Sequence, residues 1–83
     1  MLIDDQVLLA DGLESAFLGI GAQQYTQFAV YDEAKTLALY VERDGMTPEE
    51  AREWYEFNVV GAYVGKQTPI FLTNCSIDDL EPE

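Results

Sequence analysis

The sequence predicts a small α+β domain. Two consecutive helices, about 32–44 and 48–64, pack on a two- or three-stranded sheet from about 16–21, 26–31 and 69–73. Three observations lead there. Residues 32–64 carry two apolar stripes at helical spacing, divided by Gly45 and a Thr47-Pro48 start signal. Short apolar runs, rich in aromatic and β-branched residues, lie on both sides of that block. Eighty-three residues, 48% of them apolar, suffice for one core and no more.

Taken in chain order, Val7-Leu8-Leu9-Ala10 is ambiguous. It fits a strand entering an Asp11-Gly12 turn, and equally a helix running on toward Ala16. Ala16-Phe17-Leu18-Gly19-Ile20 and Gln27-Phe28-Ala29-Val30-Tyr31 read as strands, bounded by Gly, Gln and acidic residues. Asp32 is a good N-cap, because its carboxylate accepts a hydrogen bond from an orphan amide. Ala34, Leu37, Ala38 and Val41 then fall on one helical face, and Gly45 suits a left-handed stop. Thr47 with Glu50 forms a capping box, Pro48 takes the first helical position, and Met46 is placed to staple onto Ala51. The buried face of this second helix is expected to hold Ala51, Trp54, Tyr55, Asn58, Val59 and Ala62, with Gly65 as its stop. Pro69 opens a last strand, where its missing amide matters least. Residues 1–75 thus make one compact domain, and 76–83 an acidic tail in which Ile77 and Leu80 can form one helical turn.

Charge narrows the partners. Sixteen acids against Lys35, Arg43, Arg52 and Lys66 give a net charge of −12. That balance repels nucleic-acid backbones and anionic membranes and favours basic proteins. A homodimer would relieve the marginal core of so short a chain. Neither a signal peptide nor a membrane span is expected, and the lone Cys75 excludes an intramolecular disulfide, so a cytoplasmic setting is expected.

Residues for catalysis are scarce. Without histidine there is no Ser-His or Cys-His pair, and the commonest general base and metal ligand are missing. Cys75 sits beside an acidic tail, whereas a reactive thiolate needs electropositive surroundings. Gly45 set at the invariant glycine of a calcium loop puts Tyr40 and Ala51 where carboxylates are required, so the match fails. Gly19-Ile20-Gly21 lacks the third glycine and the helix of a dinucleotide fingerprint, and suits a strand with glycines for close packing. Gly61 and Gly65 have small-xxx-small spacing, but in an amphipathic segment Gly61 reads as a close approach. No enzyme activity, cofactor or metal is expected.

What remains is an acidic face. Glu49, Glu53 and Glu56 recur about one helical turn apart, roughly 5.4 Å along the axis. Such a row imitates a phosphate backbone, and Asp11 and Glu14, with Asp4 and Asp5, extend the acidic surface. The same residues also fit a solvated helix face whose first-turn acids are stabilised by the dipole. The sign rules out a DNA-recognition helix. Asn58 falls inside the apolar stripe, as a structural hydrogen bond or as a contact in a candidate pocket.

Four stretches together resemble a group of short acidic tailed-bacteriophage proteins of no established activity. They are Asp11-Gly12-Leu13-Glu14-Ser15-Ala16-Phe17-Leu18-Gly19-Ile20-Gly21, the Ala29-Val30-Tyr31-Asp32 and Glu42 to Ala51 segments, and Glu56 through Leu72. The resemblance implies a phage gene expressed in a bacterial host cytoplasm. Small acidic phage proteins often bind and divert host restriction, CRISPR or transcription machinery, and that analogy sets the leading expectation. The chain is then a non-enzymatic protein binding a basic host protein through its acidic surface, as a nucleic-acid mimic. One alternative is a structural or virion-associated protein whose acids only confer solubility. Another is a small-ligand or metal-binding accessory domain using Asn58 and nearby carboxylates.

Overall fold

A computed structural model describes residues 2–80. It is an α+β fold. A 3-10 turn, Glu14–Ala16, leads into β1 (Phe17–Gln23), β2 (Thr26–Asp32), α1 (Glu33–Glu42), α2 (Pro48–Tyr55), a π-helical turn (Glu56–Val60) and β3 (Ile70–Leu72). A second 3-10 turn, Ile77–Leu80, follows. The sheet order is β1-β2-β3, so β2 is central. β1 and β2 form an antiparallel hairpin, while β3 lies parallel to β2 after the two helices cross over.

The hairpin loop is two residues long, Gln24 and Tyr25, both at positive φ (49° and 67°). That combination is the type I′ turn, whose twist matches the flanking strands. Phe17 pairs with Tyr31 but Gly19 pairs with Val30, so the register slips by one residue at Leu18. This is a β-bulge, and Gly19 at φ +151° supplies the backbone it needs. Along β2 burial alternates: Gln27, Ala29 and Tyr31 are buried, and their neighbours half-buried.

The chain passes from β2 into α1 without a loop. Asp32 ends the strand and caps the helix, its carboxylate accepting from the Lys35 amide at 2.8 Å. This direct entry fixes the helix rotation. Thr36 and Tyr40, one turn apart, face the core, and the Thr36 hydroxyl donates to the Asp32 carbonyl at 2.8 Å. The expected face is therefore corrected: Ala34 and Ala38 are exposed. Leu37 and Val41 are half-buried and pack against the core as expected, beside a groove that Ala38 shares with Pro48 and Ala51 of α2. Gly45, at φ +72°, ends the segment, and the Met46 amide folds back onto the Tyr40 carbonyl at 3.1 Å.

The second helix is shorter than expected. Its α-helical part stops at Tyr55, and the chain runs as a π turn to Val60, not on to residue 64. The Gly61 amide donates to the Glu56 carbonyl, five residues back, at 3.1 Å. Gly61 is the residue that permits this, since a Cβ there would lie 2.9 Å from that same carbonyl oxygen. Gly65 is not the stop. It lies beyond the helix at φ +151°, with Leu8 against it. Near the N-terminus, residues 7–10 are neither strand nor helix. They are held by the Ala10 amide donating to the Tyr31 hydroxyl at 2.8 Å, before the Asp11-Gly12 turn.

The core is small: Leu13, Ala16, Ala29, Tyr31, Tyr40, Ala51 and Tyr55. Phe71 of β3 stacks on Tyr31 (centroids 5.6 Å apart) and meets Tyr55 edge-on at 5.7 Å, which locks the sheet to α2. Such pairs contribute about 0.5–1.5 kcal/mol each beyond burial. The molecule is flat, 39 × 38 × 20 Å, and the short dimension matches one helix layer on one sheet layer, each about 10 Å deep. The tail turn forms, but Ile77 and Leu80 remain exposed. Residues 81–83 of the expected tail lie outside the described residues.

Candidate functional site

The α2 surface follows from how its charges are used. Glu50 is taken up by the capping box: its carboxylate accepts from the Thr47 amide at 2.9 Å, and the Thr47 hydroxyl accepts from the Glu50 amide at 3.2 Å. Arg52, the helix's one base, reaches across to Glu33 of α1 at 3.3 Å. Its guanidinium also sits 5.8 Å from the Tyr55 ring centre. Glu49, Glu53 and Glu56 remain, lining one shallow groove with Pro48, Arg52 and Phe57. These three expected residues are thus brought together and exposed, with no ion pair of their own among the described residues.

A polar cluster at the surface ties α1 to α2 and to the end of β3. Glu33 accepts from Arg52 and from the Thr73 hydroxyl at 3.2 Å. Burial pushes the Tyr55 phenol up to about 12, and the neighbouring Glu33 carboxylate adds to that by its charge.

Asp11 and Glu14 lie elsewhere, around the 3-10 turn. They border a second cleft with Leu9, Phe17 and Tyr31. Arg43 comes close to them: it donates to the Gly12 carbonyl and pairs with Asp44 at 3.0 Å. The Arg43 hydrogen bond holds the Asp44 carboxyl below its ordinary range. The two acidic sets line separate clefts.

Asn58 is exposed, not buried in the stripe. It stands at the edge of a cleft of about 310 Å³ bordered by Leu13, Tyr40, Trp54, Val59 and Phe71. Trp54 is corrected in the same way; it is 48% exposed and joins this cleft to a neighbouring one that holds Glu53 and Phe57. Burial raises the Tyr40 phenol at the cleft floor, with Asp44 adding to the rise while Arg43 and Trp54 oppose it.

Phe57, 77% exposed beside the three glutamates, was not expected at the surface site. The signal was weak in sequence: Phe57 lies off the apolar stripe of Ala51, Tyr55 and Val59. Among the described residues no three His, Cys, Asp or Glu side chains gather as metal ligands, and Cys75 is exposed. No helix among them is long and apolar enough to cross a membrane. Comparison with family models, curated proteins and solved structures finds no match.

Proposed function

We propose that the protein is a non-enzymatic binding protein of phage origin that takes a basic bacterial host protein on the outer face of α2. One observation carries this reading. Glu49, Glu53 and Glu56 share a groove with the exposed Phe57, and the one base bordering it, Arg52, is paired with Glu33. Uncompensated carboxylates steer a basic partner, and an exposed aromatic ring supplies the apolar anchor that charge alone lacks. A nucleic-acid mimic needs that pairing, because phosphates and bases present charge beside flat apolar rings.

The test is capture from bacterial lysate by the tagged chain, in low and in moderate salt, with Glu49→Lys/Glu53→Lys alongside. A basic protein retained in low salt, released by duplex DNA and lost with the double variant is the expected result. The same protein retained equally by both forms rejects the acidic face.

A further inference from the structure

The sheet has two faces and only one is covered. Register and alternation put Ile20, Ala29, Tyr31 and Phe71 on the helix side. The opposite face carries Phe28, Val30, Ile70 and Leu72. None of these four belongs to the buried core or packs against it. Ile70 and Leu72 are 42% and 45% exposed. Beside them β1 presents Gly19 and Gly21. A Cβ on Gly19 would meet nothing within 4 Å, and one on Gly21 would touch only Val30. On this side the central strand's Phe28 and Val30 are half-buried, and no core residue packs over them.

The strand residues of this face are also poor in charge, on a chain that is 24% charged. Its one ionisable side chain is Asp32, at the end, where the carboxylate is occupied in capping α1.

We propose that this face joins two copies of the chain, stacked sheet to sheet about a twofold axis. Charge selects the occupant. A basic partner would find here only the Asp32 carboxylate, at the end of the face and engaged in capping α1, whereas a second copy offers the same largely apolar surface. Two chains of net charge −12 can associate only where carboxylates are kept apart, and this face does so. Area agrees. The chain exposes 6299 Å², about 1,300 Å² more than a folded monomer of its mass ordinarily does. The exposed chain ends hold part of that excess; one side of a standard interface takes about 800 Å². Shape agrees as well. Stacking two discs of 39 × 38 × 20 Å by their flat faces doubles the short dimension and gives a nearly isometric particle. The sheets would then lie about 10 Å apart.

Sedimentation of the full chain over about 1–100 µM, in low and moderate NaCl, tests this. A dimer is expected whose dissociation constant falls as salt screens the repulsion, opposite to the salt response of a basic partner on α2. Ile70→Lys/Leu72→Lys lowers the net charge yet should raise the dissociation constant at least tenfold, because it places ammonium groups in an apolar contact. Ile70→Gln/Leu72→Gln, which leaves charge unchanged, should move it the same way. Glu53→Lys should leave the dimer intact, so failure here is separable from failure of the acidic-face reading. Solution scattering of the unaltered chain should show the isometric particle, and it decides the matter even where a variant fails to fold. A monomer at the highest concentration, a longest dimension near twice the 39 Å width, or double variants that dimerise normally would overturn the proposal.

Discussion

Tyr55 shows how one side chain links the core to the charged surface. Its ring is buried against Phe71, and its phenol feels the charge of Glu33, which also holds Arg52. Burial and the adjacent carboxylate both oppose loss of the phenol proton, which is pushed up to about 12. In the unfolded chain it leaves near 10. Between those values the unfolded state binds fewer protons than the folded one, so stability falls as pH rises. The contribution is complete below pH 10 and is lost as pH climbs through the folded value. Tyr55→Phe should therefore flatten the decline in urea midpoint between about pH 10 and 12. It should not abolish it, because burial also raises Tyr40. Equal slopes in variant and parent would show that folding does not raise the Tyr55 phenol. Arg52 was legible only as a charge in the sequence; that it reaches Glu33, nineteen residues away, depends on how the helices pack.

At the scale of elements, what the sequence disclosed was what neighbours in the chain determine. Asp32 and the Thr47–Glu50 box are caps made within one turn, and both form as expected. Strand order and the parallel pairing of β3 depend on distant contacts, and no local pattern encodes them. The rotation of α1 was missed because Ala34 and Ala38 imitate a core stripe, while the helix is oriented by the strand that feeds it. The π turn was missed for a related reason. An i→i−4 periodicity assumes 3.6 residues per turn, and the wider i→i−5 turn after Tyr55 takes Asn58 out of the stripe. Gly61 is the local key to that turn. Gly61→Ala sets a methyl group 2.9 Å from the Glu56 oxygen, a backbone atom with little room to move. A loss of about 1–3 kcal/mol in denaturant unfolding is expected, as for other overpacked sites. Helix propensity alone would instead make alanine about 1 kcal/mol better than glycine, so the sign of the change decides between a required π turn and an ordinary helix end.

For the whole molecule, the governing fact is −12 charges on a disc 20 Å thick. Among the described residues only two ion pairs offset them, Arg43–Asp44 and Arg52–Glu33. At about 0.01 M ionic strength the screening length is near 30 Å, so acids across the whole disc repel one another. At about 0.15 M it is near 8 Å, and only immediate neighbours still interact. Folding concentrates the charge that an unfolded chain disperses, so salt should stabilise the folded state. In a domain of this size each 1 kcal/mol of relief raises the melting temperature by about 4–8 °C. A rise of that order between those two NaCl concentrations is expected, measured by circular dichroism at two protein concentrations. The concentration pair separates the two ways salt can act. Relief of repulsion within one chain shifts both curves equally, whereas tighter stacking of two copies adds a rise that grows with protein concentration. Glu49→Gln/Glu53→Gln should lower the salt slope, since it removes two of the acids that no base offsets. A flat response in the parent chain would mean that its carboxylates stand far enough apart to be unstrained, and would remove the electrostatic ground for expecting salt to favour the dimer.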